Sequence, residues 1–110
     1  MTSPHTARRL ALELPGATEQ DHHGFPSFRV RGRIFATLPA TDRLRAMLDA
    51  PGIRTAAAEH PDVCAEFYWG KRLACVEIDL PRADTELIRE LLADAWEHRS
   101  GQPRPMPPAQ

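Results

Sequence analysis

Residues 63–80 carry the pattern that most restricts the fold, two alternating runs of apolar and polar side chains separated by a turn. The runs are VCAEFYW and LACVEIDL, and Gly70-Lys71 lies between them. A period of two puts alternate side chains on opposite faces of a strand, and a two-residue turn with glycine joins antiparallel strands. The pattern therefore predicts a β-hairpin that turns at Gly70-Lys71, with Trp69 opposite Arg72, or at a loop one residue longer at each end.

The same hairpin determines where the two cysteines of the chain lie. In this register Cys64 faces Glu77 and Cys75 faces Glu66, with both thiols on the outer face of the sheet. Such diagonal positions are about 7–8 Å apart, beyond comfortable disulfide reach. A neighbouring carboxylate also makes a thiol less reactive, because it disfavours the thiolate. We therefore expect two free, inert thiols, as is usual in a reducing compartment.

Residues 25–38, FPSFRVRGRIFATL, form a second strand-like run that is interrupted by Gly32. The apolar side chains on both sides of the glycine lie at even positions. Even positions can face each other only across a turn with an odd number of residues, most simply Arg31-Gly32-Arg33 with the glycine in the left-handed conformation. This run predicts a hairpin with a basic tip. The alternation in residues 44–48 predicts a third strand after it, although the segment by itself also fits a helical turn.

Three other segments have the pattern of helices. Ser3 and Pro4 are a typical N-cap and first helical residue, and an apolar stripe with helical spacing follows until Pro15-Gly16. An alanine-rich helix is predicted over about residues 50–59, and a longer amphipathic helix over about residues 81–99.

The order of these elements is helix, hairpin, strand, helix, hairpin, helix. It predicts an α+β fold, with an antiparallel sheet, helices packed on one face and the other face partly open to solvent. We expect residues 1–100 to form one domain, with a loop at the polar residues 17–24 and a disordered tail at the proline-rich residues 101–110. No apolar segment approaches the roughly 20 residues of a membrane span, so we expect a cytoplasmic protein.

Basic residues are concentrated in one part of a chain whose formal net charge is −1. Residues 29–45 carry five arginines and one acid, Asp42. Together with the second hairpin tip they form a candidate surface for a polyanion, which consists of Arg29, Arg31, Arg33, Arg43, Arg45, Lys71 and Arg72. The alternative is a solvated strand face on which Arg33 and Arg43 pair with acids of the helices.

The aromatic side chains divide by the face on which parity places them. Phe28, Phe67, Trp69 and Trp96 lie on apolar stripes, which predicts that they belong to the core. Phe35 has the opposite parity and is expected among the basic residues of the outer face. Either Phe35 or Phe25 can then line a groove between sheet and helix.

The order of elements also resembles the MmcQ/YjbR family. The residues ALELPGATEQDHHGFPSFRVRGRIFATL are similar to the family's leading helix, LPG turn and P-x-F-x-V-x-G-x-x-FA hairpin, and LACVEIDL followed by ELIRELLADAWEHR is similar to its closing strand and helix. The resemblance runs from about Ala7 to Arg99. Family members often have an aromatic residue where this chain has Leu73-Ala74, and Trp69 can take its place. The resemblance implies a CyaY-like fold with a double-wing DNA-binding motif.

The residues give little support to other chemistry. Asp21-His22-His23 offers two metal ligands without a third at a known spacing. An iron site of the frataxin type needs acids on the first helix, which instead carries Arg8, Arg9 and only Glu13. No nucleophile motif such as Gly-x-Ser-x-Gly is present. We therefore expect no catalytic residues, no metal site and no cofactor.

Two hypotheses follow from the sequence. The first is a non-enzymatic, monomeric protein that binds double-stranded DNA weakly, and with little sequence preference, through its basic hairpin tips and outer sheet face. The second is a peptide- or protein-binding adaptor or chaperone-like module. Pairing of Arg29, Arg43 and Arg45 with acids of the helices would favour this second hypothesis.

Overall fold

The computed structural model describes residues 1–104 as three helices and one antiparallel sheet. The helices are α1 (Pro4–Leu12), α2 (Ala50–Glu59) and α3 (Thr85–Ser100), with a 3₁₀ turn at Leu80–Arg82. The strands are β1 (Thr18–His22), β2 (Phe25–Val30), β3 (Arg33–Ala40), β4 (Arg43–Ala46), β5 (Cys64–Trp69) and β6 (Arg72–Asp79). The predicted helices, hairpins and third strand are confirmed.

Side-chain caps explain where the helices begin. Ser3, Asp49 and Asp84 each accept a hydrogen bond from the backbone N–H three residues further on, at 3.1, 2.8 and 2.8 Å. Each cap satisfies a donor that the helix itself leaves unpaired. Gly101 ends α3 with a φ of 71°, the left-handed conformation that glycine adopts without strain. Within residues 1–104, no helix is long and apolar enough to cross a bilayer.

The sheet has six strands in the order β1-β2-β3-β4-β6-β5, and all neighbours are antiparallel. Two-residue turns connect β1 to β4 as a meander, and α2 then leads to the β5–β6 hairpin, which joins the sheet where β6 pairs with β4. Because the strands alternate in direction, the turn at Arg31-Gly32 and the turn at Gly70-Lys71 emerge from the same end of the sheet. We call these turns tip 1 and tip 2.

The helices pack on one face of the sheet, as the sequence predicts. Leu44 and Ile78 lie opposite each other on this face and belong to the core, together with Ile88 and Leu92 of α3. The neighbouring positions point to the other side, which we call the open face. Arg45 lies there, opposite Glu77. The α+β prediction is confirmed with one strand more than expected.

The additional strand is β1, in a segment that the sequence predicts as a loop. It pairs with β2 as far as His22 opposite Phe25, and the turn that follows has positive φ at His23 (54°) and Gly24 (92°). All residues of β1 except His22 are exposed. An edge strand that is polar on both faces shows no alternation, so its sequence cannot be distinguished from that of a loop. The loop prediction is wrong for this reason.

A β-bulge in the first hairpin explains why parity gives the wrong turn. Val30 pairs with Arg33, so tip 1 has two turn residues and not three. Phe28 nevertheless pairs with Ala36, so two even-numbered residues face each other as the sequence predicts. The reason is that the register shifts by one residue at Phe35, which has no partner on β2. The bulge also turns the Phe35 side chain into the core, where it is fully buried, and the prediction that it lies on the outer face is wrong.

The proline-rich tail falls mostly outside the described residues. Residues 105–110 lie beyond them, and the disorder of residues 101–110 stays a prediction. The described part of this segment ends at Arg104, whose guanidinium hydrogen-bonds to the carboxylates of Glu90 and Asp94 on α3.

Candidate nucleic-acid interface

Tip 1 presents two exposed arginines, Arg31 and Arg33. The φ angles of its central residues are 52° at Arg31 and 77° at Gly32, which is the type I′ geometry of two-residue hairpins. The Nη1 of Arg31 donates to the carbonyl oxygen of Ser100 at 3.4 Å. Tip 1 therefore rests on the C-terminus of α3, where the helix dipole favours a cation.

Tip 2 presents Lys71 and Arg72, both exposed, at the same end of the sheet. Gly70 has a φ of 64°, and Lys71 does not have a positive φ, as in a type II′ turn. The strand order separates the centres of the two tips by three strand spacings, about 14 Å. The sequence thus correctly identifies both cationic tips, and the strand order places them at the same end of the sheet.

Arg99, near the end of α3, is a cation that the sequence analysis missed. Its Nε is buried and has no hydrogen-bond partner among residues 1–104. Burial, followed by the charges of Arg33 and Arg72, holds the pKa of Arg99 below its ordinary value. Arg99 is therefore close to one arginine of each tip, although it is far from both in sequence. A basic residue at a helix C-terminus is common, and only the packing of α3 shows where this one lies.

The tip patch, as we call this group, consists of Arg31, Arg33, Lys71, Arg72 and Arg99. Within residues 1–104 none of the five forms an ion pair with a carboxylate. Neighbouring cations without acids repel one another, so an anion is stabilised by the cations of the tip at which it lies and by Arg99, which is close to an arginine of each tip. The tip patch therefore has a positive local potential.

The arginines predicted on the outer sheet face are in a different situation. Arg45 donates from Nε to Glu77 at 2.9 Å, and its guanidinium lies 3.9 Å from the centre of the Phe67 ring. Arg43 lies 3.9 Å from Asp79 and 3.9 Å from Asp42. These acids belong to the sheet and its turns and not to the helices. The charges of Arg43 and Arg45 are therefore largely compensated within the protein.

Arg29, on the open face of β2, is not compensated in this way. Its Nε donates to the Ser27 hydroxyl at 3.4 Å, and no carboxylate among residues 1–104 pairs with it. Of the seven residues predicted as a binding surface, the structure therefore brings the four at the tips together, leaves Arg29 beside them and pairs Arg43 and Arg45 with acids.

Two of the four predicted core aromatics are buried and two are not. Phe28 and Trp96 are 0% and 3% exposed, whereas Phe67 is half-buried on the open face and Trp69 is 70% exposed, so the core prediction is wrong for these two. Trp69 is the last residue of an edge strand and shares a face with the half-buried Phe67, where no helix lies above it. Phe25 is half-buried and its ring packs against His22, with 5.5 Å between ring centres.

The two cysteines lie on opposite faces of the sheet. A bulge at Ala74 shifts the second hairpin, so Cys64 faces Ile78 in the core and Cys75 faces Phe67 on the open face. The predicted pairings with glutamates are wrong, and the predicted outer-face location is wrong for Cys64 but correct for Cys75, although both thiols are buried. Both thiols are free as expected. Burial raises the pKa of each thiol to about 11, and for Cys75 the charge of Arg45 opposes this effect.

Both thiols are expected to resist Ellman's reagent in the folded protein at about pH 8, because only the thiolate reacts and burial disfavours it. Their pKa values are raised from 9.0 to about 11, so raising the pH across this range should lower the free energy of unfolding. The reason is that the unfolded chain ionises the thiols while the folded protein does not. Urea unfolding at several pH values tests this, with the Cys64→Ala/Cys75→Ala variant as the control that lacks the effect. Rapid labelling of the native protein would contradict it.

The histidine run lies at the opposite end of the sheet from the tips. The rings of His22 and His23 are 4.4 Å apart, and the carboxylate of Asp21 accepts a hydrogen bond from the N–H of Gly24 at 3.3 Å. Asp21 and His22 end β1, and His23 is the first of the two residues in the turn of the β1–β2 hairpin. In the described part of the chain, no three His, Cys, Asp or Glu side chains are grouped as metal ligands.

The fold and the tips define a class of protein in which helices cover one face of an antiparallel sheet and two cationic hairpin turns lie at the same end of that sheet. The YjbR family model matches residues 12–98. The chain therefore belongs to the YjbR family, as its resemblance to the MmcQ/YjbR family indicates.

A solved structure has the same fold. The crystal structure of Deinococcus radiodurans protein DR2400, which contains a DUF419 family-model domain, superposes with a TM-score of 0.74 at 22% sequence identity. The alignment covers 94% of this chain and 84% of that chain. At this identity the similarity shows the fold alone. No curated protein matches the sequence.

Proposed function

We propose that this protein is a non-enzymatic DNA-binding protein that holds the phosphate backbone of duplex DNA with its tip patch. The observation that carries the proposal is the arrangement of the five cations of the patch, which come from two hairpin turns and α3 and have no acid paired with them in residues 1–104. Glycine in each turn leaves the backbone accessible to a phosphate.

The proposed interface is narrower than the one predicted from the sequence. The tip patch, with Arg29 beside it, provides the phosphate contacts. Arg43 and Arg45 are left out of the proposed interface, because each lies beside an acid, Asp79 or Glu77, that offsets its charge. The proposed surface is therefore the end of the sheet at which the two tips lie, and not the whole open face.

The proposed binding is weak and largely independent of sequence. The formal net charge of −1 opposes long-range attraction to DNA, and phosphate contacts carry no base information. The chain has no asparagine, one of the residues that read adenine most directly. We also propose that the protein acts as a monomer in the cytoplasm.

The test is fluorescence anisotropy of a labelled duplex with the Arg33→Ala/Arg72→Ala variant, which removes one cation from each tip. Binding at about 50 mM salt is expected to weaken about 10- to 100-fold, because two phosphate contacts are lost. Arg31 is left intact, since its bond to Ser100 stabilises the end of α3 and its loss would complicate the result.

The matched control is Arg9→Ala/Arg89→Ala, which removes the same charge. Both of these arginines pair with Glu13 on the helix side of the protein. The control should bind as the wild type does if the location of the charge matters. Equal loss in both variants would show a non-specific charge effect, and no duplex binding by the wild type at tens of micromolar would refute the proposal.

The adaptor function is the second candidate, and one observation favours it. The edge strand β5 exposes Tyr68 and Trp69 at 48% and 70%. An unpaired strand edge can add a strand from a peptide partner. Introducing a proline at Glu66, in the middle of β5, should block such pairing and leave binding by the tip patch intact.

A further inference from the structure

Trp69 is the largest apolar side chain that the described part of the protein leaves in solvent. It is 70% exposed, whereas the other tryptophan, Trp96, is 3% exposed and donates its indole N–H to the carbonyl of Pro15 at 2.8 Å. A large aromatic surface in water is unfavourable by itself. Trp69 contributes nothing to the core, so its exposed indole is available to a ligand.

The surroundings of Trp69 restrict what that ligand can be. Arg72 is its direct cross-strand neighbour, with side chains roughly 5 Å apart at Cβ, and Lys71 is in the adjoining turn. Neither cation pairs with an acid in residues 1–104. The indole is thus a flat apolar surface directly beside the tip patch.

The acids nearest in sequence point away from this surface. Glu66 lies on the helix side of β5, where it accepts a hydrogen bond from the hydroxyl of Tyr68 at 2.7 Å. On the open face, Glu77 is engaged by Arg45. A ligand at Trp69 therefore meets one aromatic face and several cations, which favours a flat ring that carries a negative charge nearby.

We propose that Trp69 is a stacking site for an unpaired nucleobase whose phosphate lies on the tip patch, so that the protein prefers single-stranded or frayed DNA over an intact duplex. The inference rests on the proposed function and specifies its substrate. Bases inside a duplex stack on each other and cannot be covered by an indole from outside. Aromatic stacking on unpaired bases is strong and tolerates any base, in keeping with an interface that reads no sequence.

The test compares a labelled oligothymidylate of about 15 nucleotides with a duplex of the same length. Trp69→Ala is expected to weaken single-strand binding about tenfold, the loss typical of one stacked base, and to leave duplex binding unchanged. Tyr68→Ala is the matched control, since it removes an exposed aromatic side chain from the opposite face of the same strand. It should change single-strand binding by less than about twofold. The salt dependence should be the same in all three proteins, because no charge is altered.

Tryptophan fluorescence gives a second measurement. The oligothymidylate should quench the emission of the wild type, since Trp69 is exposed and Trp96 is buried. In Trp69→Phe the remaining emission should not respond. This readout reports contact with the base and not only affinity.

The possible outcomes separate this inference from the proposed function. Absence of binding to both DNA forms refutes the proposed function and this inference with it. Duplex binding that depends on Arg33 and Arg72, with no preference for the single strand and no effect of Trp69→Ala, refutes this inference alone. Concentration-dependent dimers in sedimentation that Trp69→Ala dissociates, with unchanged DNA binding, would overturn it and identify the site as an interface between two copies.

Discussion

The Phe35→Ala variant is expected to lose about 3–5 kcal/mol of the free energy of unfolding, the usual effect of removing a phenylalanine from a packed core. Phe35 is fully buried, and the bulge in β3 directs its ring towards the helices. The cavity left by the ring cannot close easily, because β3 is held in place by its hydrogen bonds to β2 and β4. Urea unfolding followed by circular dichroism measures the change.

The matched control is Phe67→Ala on the open face. Phe67 is only half-buried and packs against the Arg45 guanidinium, so its loss is expected to have an effect of about 1–2 kcal/mol. Equal effects of the two substitutions would mean that Phe35 lies outside the core, as the parity of the sequence indicates.

Raising the salt concentration from about 50 to about 200 mM is expected to weaken duplex binding about 500-fold. Five phosphate contacts give a slope of about −4.5 for log K against log salt, and a fourfold change in salt then has this effect. Arg33→Ala/Arg72→Ala should have a slope of about −2.7, so the same change should weaken its binding only about 40-fold.

Anisotropy titrations at four or more salt concentrations determine both slopes. A wild-type slope near −1 would show that the tip patch does not contact several phosphates at once. Identical slopes in the wild type and the variant would show that Arg33 and Arg72 do not contact phosphate, even if DNA is bound elsewhere on the protein.

Local sequence patterns predict most of this fold, because the elements concerned have strong periodicity and clear boundaries. The cap at Ser3 and the turn at Gly70-Lys71 both lie where the residues indicate. β1 could not be predicted, since an exposed edge strand has no buried face to impose alternation. The bulges at Phe35 and Ala74 could not be predicted either, because parity is a valid guide only while the strand is regular.

The candidate site is predictable in part. Arginines and a lysine beside turn glycines indicate both tips directly. Arg99 could not be assigned, because its distance from Arg33 and Arg72 depends on how α3 packs. The pairing of Arg45 with Glu77 could not be predicted either. It depends on which strand of the second hairpin joins the sheet, and it is β6, not β5, that pairs with β4.

The distance between the tips is set by strands β3, β4 and β6, whose backbones are hydrogen-bonded to one another. No flexible linker separates the two cationic turns, so the span of about 14 Å cannot adjust to the ligand. The major groove of B-form DNA is about 12 Å wide, and its width varies with sequence and with bending. A protein with a fixed span responds to such variation, so any preference among duplexes should follow the local shape of the DNA and not the identity of its bases.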